Sequence, residues 1–332
     1  MNLMTAGPRP RRVARSPRSR ADTGPGGRRL WRIAGSAVAL TVLVLLLPGD
    51  ELIGALRSIP GPVWLLALPG YLALHVVGTL KWRLMVNAAD GGLGVRHAVR
   101  CYYYGLFGNT FLPSVVGGDV LRAGLASRLA RRPDGVVIGS VVDRVLDVLA
   151  LASVAAFGLL LLPRALDPQS RAVFGVLPAA LVVAAVALAL VARGLPVRRL
   201  PYRVRRLLAK IRRSVRAVRS RPERIAEALA MGVSLQLLLV LLQAGLGSVV
   251  GLEIPLTAWL FAWPMAKLSA LLPVTQGGLG VREAALAGLL APFGVEPVLA
   301  VAAGLAFQGV IISGGLVGGA IAYLLARVQD ER

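Results

Sequence analysis

A motif with the residue types that bind anions occurs twice in this chain. Leu112–Arg122 aligns without gaps to Leu272–Arg282, and both copies read L-P-x-x-x-G-G-x-x-x-R. Proline ends a helix, and paired glycines let a ligand approach the backbone closely. A helix that begins there presents free N–H groups to an anion, and an arginine about one turn further can bind phosphate through two parallel hydrogen bonds. The repeat therefore predicts an anion site, although the same residues would also suit close packing with both arginines at helix ends.

Further ionisable residues stand in strongly apolar parts of the sequence. Asp143 and Asp147 are one helical turn apart and share a face, with Arg144 beside them. Lys267 precedes the second motif copy, and Glu283 directly follows it. Charges in apolar surroundings pair with one another or line a polar pathway. We therefore expect these side chains to meet the motif arginines, either as structural ion pairs or as pairs that break during function.

The composition indicates the surroundings in which this chemistry takes place. Of the 332 residues, 56% are hydrophobic and 16% are charged, whereas a soluble domain carries about 25% charged residues. The apolar runs are continuous and do not alternate, which excludes an outer-membrane barrel as well as a water-soluble enzyme and a disordered protein. The sequence predicts an all-α polytopic membrane protein.

The apolar runs predict six spanning helices and two shorter re-entrant hairpins. The spans are at about 31–48, 62–80, 136–162, 172–193, 226–250 and 297–326. The regions 97–130 and 256–291 each have an apolar run of about 15 residues, which covers roughly 22 Å of a membrane core of about 30 Å. Three spans lie between these regions, so we expect the two hairpins to enter from opposite faces, as in an inverted-repeat transporter.

The positive charge is concentrated beside the apolar runs. The net charge is +22, of which residues 1–32 contribute +8 and residues 193–224 contribute +12. By the positive-inside rule, both termini, the loop at 194–224 and Lys81 should be cytoplasmic. This divides the chain into a disordered basic tail at 1–32, a membrane domain at 33–326 and a short cytoplasmic tail at 327–332. No zinc spacing or helix-turn-helix accompanies the charge, so nucleic acid is not an expected partner.

The loop at 194–224 has a second feature besides its charge. Its apolar residues recur at helical spacing, which favours a basic amphipathic helix on an anionic leaflet over a solvated linker. The stripe consists of Val204, Leu207, Leu208, Ile211, Val215 and Val218.

The residues expected to bind a lipid headgroup come from both motif copies and their apolar neighbourhood. They are Asn109, Gly117, Gly118, Asp119, Arg122, Asp143, Arg144, Asp147, Lys267, Gln276, Gly277, Gly278, Arg282 and Glu283. His75 and His97 are far apart and have no cysteine partners, so the sequence predicts neither a metal site nor a cofactor.

These motifs resemble a known family. Phe107–Arg122 followed by Ser140–Asp147 is similar to the flippase-like lysylphosphatidylglycerol synthase transmembrane family, and Leu272–Glu283 is similar to its second signature. The resemblance extends over about residues 35–326. It implies that a headgroup cavity is lined by Asp119, Arg122, Asp143, Arg144, Arg282 and Glu283.

The resemblance also implies a function. In the multiple peptide resistance factors, this membrane unit moves aminoacylated phosphatidylglycerol to the outer leaflet and is fused to a synthase domain. Only about six residues follow the last predicted span here, so we expect no synthase domain and no enzymatic aminoacyl transfer. The expected protein is a flippase or transporter in the bacterial inner membrane. Its substrate would be an anionic or aminoacylated phospholipid or a polyprenyl-linked glycolipid.

Two other functions remain open at the level of sequence. One is a membrane glycosyltransferase that uses polyprenyl-phosphate donors, although no obvious D-x-D or E-x-D motif is present. The other is a membrane subunit that transports nothing and anchors a cytoplasmic enzyme through the basic loop. The expected partners are membrane lipids, and the sequence is compatible with a homo-oligomer.

Overall fold

The computed structural model describes residues 49–111, 117–162, 212–270 and 278–330, and these residues form helices joined by short loops. The helices are α1 (Gly49–Arg57), α2 (Gly61–Ala88), α3 (Val95–Phe111), α4 (Gly117–Leu129), α5 (Pro133–Leu160), α6 (Pro222–Val249), α7 (Leu256–Ser269), α8 (Val281–Leu290) and α9 (Pro297–Asp330). Residues 212–219 are also helical, and Ala291–Phe293 form a 3₁₀ turn. The predicted spans at 31–48 and 172–193 lie outside the described residues, as do the tail at 1–32 and most of the basic loop.

Three of these helices are long and apolar enough to cross a membrane. They are α2 and α6, with 28 residues each, and the segment Pro297–Arg327 of α9. Twenty-eight residues extend about 42 Å, which exceeds a hydrocarbon core of about 30 Å. The chain is therefore a polytopic helical membrane protein, as its composition predicts.

Helix α5 is as long as α2 and α6 but has a different composition. It also has 28 residues, and it carries Asp143, Arg144 and Asp147 near its middle. Such residues each disfavour insertion by about 2.5–3.5 kcal/mol at the centre of a helix. Asp143 is nevertheless only 2% exposed, so neighbouring helices must compensate the charge.

The helix ends gather at two ends of the bundle. The Arg132 N–H donates to the Gly91 carbonyl, and Arg221 donates to the Asn87 and Ala88 carbonyls. The last turn of α2 therefore meets the first turns of α5 and α6. We call this the basic end. Its exposed arginines include Arg96, Arg128, Arg131, Arg212, Arg213, Arg216, Arg219 and Arg224.

The opposite end is defined by an apolar cluster rather than by arginines. Leu52, Ile59, Val250 and Val298 pack together there. This cluster joins α1 to the end of α6 and the start of α9. Its charged neighbours in the sequence are few and of both signs, with Asp50, Arg57, Glu253 and Glu296 among them.

Each region predicted as a hairpin contains two packed helices. Helix α3 begins at the basic end and α4 returns there, since α4 is followed directly by the start of α5. Helix α7 begins at the opposite end, just after α6, and α8 leads back to the start of α9. With 17, 13, 14 and 10 residues, these helices extend about 15–26 Å, less than the membrane core.

A seam of glycines on α9 brings its backbone against α2 and α3. A Cβ atom added at Gly314 would collide with the ring of Tyr71, and one at Gly319 would collide with the ring of Phe107. A Cβ atom added at Gly315 would collide with the Thr110 side chain. The small residues therefore allow a close helix approach of the kind common in membrane proteins.

Candidate functional site

A polar cavity of about 260 Å³ lies inside the bundle, and both copies of the repeated motif contribute to its lining. Asn109, Asp119 and Arg122 come from the first copy and its approach, and Lys267 and Arg282 come from the second. The remaining polar lining residues are Tyr71, His75, Lys81, Tyr102, Asp143, Arg144, Asp147 and Gln236. The fold therefore brings together residues that are 160 positions apart in the two motif copies.

Six charged side chains from three helices form one ion-pair network on this cavity. Lys81 of α2 contacts Asp143 and lies 2.9 Å from Asp147, both on α5. Arg144 contacts Asp119 of α4, and its Nη1 lies 3.7 Å from Asp147 Oδ2. Arg122 of α4 is the third cation. Three cations thus face three carboxylates, so the network is electrically neutral as a whole.

Arg122 is held by two carboxylates and two aromatic rings. Its Nη2 lies 3.2 Å from Asp119 Oδ1 and 3.3 Å from Asp143 Oδ2. Its guanidinium carbon lies 4.6 Å from the centre of the Trp82 ring and 5.0 Å from that of Tyr102. The side chain is only 5% exposed, and its Nε has no partner within the described residues. Cation–π contacts of this kind stabilise a desolvated guanidinium.

Arg282 has an equivalent environment in the second copy. It pairs with the fully buried Glu283. Its Nη2 also donates to Gln308 Oε1 at 3.0 Å, and its guanidinium carbon lies 5.4 Å from the centre of the Trp263 ring. Each motif arginine therefore has a carboxylate partner and a tryptophan beneath it.

The two copies differ in where the second helix begins. Helix α4 begins at Gly117, whereas α8 begins at Val281, four aligned positions later. Gly278 and Gly280 have φ values of 76° and 84°, which glycine adopts without the strain of a side chain. As a result, Arg282 is the second residue of its helix, while Arg122 is the sixth. The expectation that each arginine lies about one turn in is wrong for Arg282.

Backbone N–H groups at the starts of α4 and α8 already donate to side chains of the protein. The Gly118 N–H donates to Asn109 Oδ1 at 2.9 Å, and the Gly280 N–H donates to Glu283 Oε2 at 2.6 Å. The predicted free N–H groups are therefore absent at these two positions.

Lys267 differs from the other cations of the cavity. It lies in the last turn of α7, and its Nζ donates to Gln236 Oε1 at 2.9 Å. Within the described residues, no carboxylate lies within ion-pair distance of it.

The structure places the predicted site residues in three groups. Those that line the cavity are Asn109, Asp119, Arg122, Asp143, Arg144, Asp147, Lys267 and Arg282. Gly117, Gly118, Gly278 and Glu283 do not line it: the glycines lie at or just before the helix starts, and Glu283 pairs with Arg282. Gln276 and Gly277 lie outside the described residues.

Sequence reasoning missed Lys81, which it placed in a cytoplasmic loop after a span ending at residue 80. Helix α2 continues to Ala88, and Lys81 is 2% exposed. The spacing gave little signal: Tyr71 and His75 are one helical turn apart, but Lys81 follows His75 by six residues, which is not a helical repeat. Tyr102 and Gln236, which also line the cavity, were missed as well. Within the described residues, no group of His, Cys, Asp or Glu is placed to hold a metal ion.

Comparison with known families agrees with the motifs. The family described as the Lysylphosphatidylglycerol synthase TM region matches residues 31–319. The match comprises this membrane region, and no synthase domain was found with it. No curated protein sequence matches. Both motif copies lie inside the matched segment, which covers most of the chain. This protein therefore belongs to the lysylphosphatidylglycerol synthase TM region family.

Proposed function

We propose that this protein is a lipid flippase whose cavity receives the headgroup while the acyl chains remain in the bilayer. One observation carries the proposal: both copies of the repeated motif line a single polar cavity inside an apolar helical bundle. Ionisable residues are costly in a membrane, and they typically mark a pathway for a polar substrate. The family to which the chain belongs favours the same function.

The proposed architecture consists of two oppositely oriented re-entrant hairpins, α3–α4 and α7–α8. Their support is that the outer ends of the first pair lie at the basic end and those of the second pair lie at the opposite end. None of the four helices is as long as the membrane core. Hairpins that enter from opposite faces and meet at a midplane site are typical of transporters.

Unsatisfied polar atoms on the cavity are consistent with a polar ligand. His75 Nε2 and Arg122 Nε are buried without a partner in the described residues, and both side chains line the cavity. A buried donor left unpaired costs roughly 1–3 kcal/mol. A headgroup oxygen or a water molecule at this position would remove that cost.

The test is a lipid-scrambling assay on purified protein in liposomes that contain a fluorescent phosphatidylglycerol. We expect Arg122→Lys, Arg282→Lys and Asp143→Asn each to slow translocation by roughly tenfold or more. Lysine keeps the charge but loses the planar pair of hydrogen bonds, and Asp143→Asn removes a carboxylate that holds Lys81 and Arg122. Arg96→Lys is the matched control, since Arg96 is exposed at the basic end.

Each outcome bears on the proposal. Wild-type rates in all three variants, with normal expression and monodispersity, would assign the arginines to packing alone. If the wild-type protein moves no lipid, the flippase proposal is wrong, and the alternative of a membrane subunit that transports nothing is favoured.

A further inference from the structure

The charges that line the cavity do not cancel. Among the described residues, five cationic side chains line it, namely Lys81, Arg122, Arg144, Lys267 and Arg282, against three carboxylates, Asp119, Asp143 and Asp147. Glu283 lies directly behind Arg282 and pairs with it. The cavity and its immediate support therefore carry a surplus of one positive charge.

That surplus is located at one residue. Lys81, Arg122 and Arg144 each contact two carboxylates, and Arg282 contacts Glu283. Within the described residues, the polar contact of Lys267 is with the neutral amide of Gln236, and no carboxylate lies within ion-pair distance of it. An ammonium group has three donors, and this contact uses one of them.

The position of Lys267 explains why a cation is tolerated there. It lies in the last turn of α7, where the helix dipole presents partial negative charge to a cation. This partial charge accommodates the ammonium group but does not neutralise a full positive charge. An anion from outside the protein would complete the balance.

Resting on the proposed function, we propose that the headgroup accepted by this cavity carries net negative charge, and that Lys267 binds its phosphate. A phosphatidylglycerol-type headgroup with one phosphate and uncharged hydroxyls would neutralise the surplus. An aminoacylated headgroup adds one positive ammonium, or two where the amino acid is lysine, to a cavity that already has one cation too many. The specificity of this chain is therefore for the anionic lipid and against the lysylated one.

The experiment compares lipids of different headgroup charge in the same proteoliposomes. Fluorescent phosphatidylglycerol, phosphatidylcholine and lysylphosphatidylglycerol are translocated by wild type, Lys267→Gln, Lys267→Arg and Arg57→Gln. Arg57→Gln is the matched control because it removes one positive charge from an exposed position at the opposite end. Retention of each lipid by the purified protein in native mass spectrometry supplies a binding readout that does not depend on transport.

We expect wild type to prefer phosphatidylglycerol over lysylphosphatidylglycerol by about tenfold, in translocation and in retention. Lys267→Gln should reduce this preference to about twofold, while Lys267→Arg and Arg57→Gln should keep it. Glycerol phosphate, which lacks acyl chains, should not displace the lipid at equal concentration. Displacement would identify a soluble anion as the ligand and overturn the lipid assignment.

Failure of this inference and failure of the proposed function give different results. If all three lipids are translocated equally, or if Lys267→Gln keeps the wild-type preference, the charge assignment is wrong while the flippase stands. If nothing is translocated but retention of phosphatidylglycerol depends on Lys267, the flippase is wrong while the site stands. If Lys267→Gln does not fold, wild type still tests the charge preference, because equal translocation and retention of the three lipids by wild type would overturn it.

Discussion

At the scale of single residues, stability and function depend on how the buried charges are shared. Asp143 is only 2% exposed and accepts contacts from both Lys81 and Arg122. Asp147 shares Lys81 with it. Removal of one member of such a network leaves a buried charge without compensation, which is more costly than removal of a balanced pair.

Lys81→Met should therefore destabilise the protein by about 3–5 kcal/mol, since it leaves two neighbouring carboxylates without their common cation. The double variant Lys81→Met/Asp147→Asn should recover part of this loss because one negative charge is removed with the positive one. Tryptophan fluorescence during thermal unfolding in detergent measures both. Arg96→Met, at an exposed position, should stay within about 0.5 kcal/mol of wild type. A double variant no more stable than the single one would argue against charge balance as the cause.

The sequence identifies residues of the candidate site more reliably than it identifies the partners of those residues. Arg122 and Arg282 could be selected because the motif is repeated. Lys81 could not, since a cation that follows an apolar run is usually explained by the positive-inside rule. Its role depends on Asp143 and Asp147, more than 60 positions later, and one helix read alone contains no such information.

At the scale of helices, the crossing of α3 and α4 fixes the position of Arg122. The Gly105 carbonyl and the Asn109 side chain both lie against Gly118, and Gly105 packs on Arg122 Cβ. No space remains for a side chain at Gly118. Gly124 on the same helix has no neighbour within 4 Å of an added Cβ, so the two glycines form a matched pair.

Gly118→Ala should destabilise the protein by about 1–3 kcal/mol through overpacking and should slow lipid translocation because Arg122 moves with α4. Gly124→Ala should be neutral or stabilising by up to about 1 kcal/mol, since alanine favours a helix over glycine. Thermal unfolding and the scrambling assay measure these effects. Equal behaviour of the two variants would show that the helix crossing does not constrain Arg122.

The alignment of the two motif copies predicts that a helix follows the glycines in each copy, but it does not predict the residue at which that helix begins. Helices follow the glycines in both copies, as expected. In the second copy, the positive φ values of Gly278 and Gly280 delay the helix. Glycine permits this conformation without requiring it, so an alignment without gaps does not reveal the difference.

At the scale of the whole molecule, the distribution of charge predicts the orientation. Most of the exposed arginines among the described residues lie at the basic end, where the last turn of α2 meets the first turns of α5 and α6. The opposite end has few charges of mixed sign. The apolar runs were sufficient to predict a polytopic helical protein, whereas the convergence of both motif copies on one cavity required tertiary structure.

The positive-inside rule places the basic end in the cytoplasm. In a Cys101→Ala background, Glu253→Cys should react with an impermeant maleimide in intact cells, and Arg219→Cys should react only after permeabilisation. Both positions are exposed, and Cys101 is 1% exposed. Labelling of position 219 but not of 253 in intact cells would show that the orientation is the reverse of the predicted one.

The charges in the middle of α5 also have a consequence for biosynthesis. Three ionisable residues near the middle of this helix would oppose its release into lipid by roughly 8–10 kcal/mol if each acted alone. Lys81, Asp119 and Arg122, which neutralise them, all precede α5 in the chain. During translation these partners are available before α5 emerges from the ribosome. The order of synthesis thus allows α5 to leave the translocon already paired with α2 and α4, so that membrane insertion and assembly of the ion-pair network become a single step.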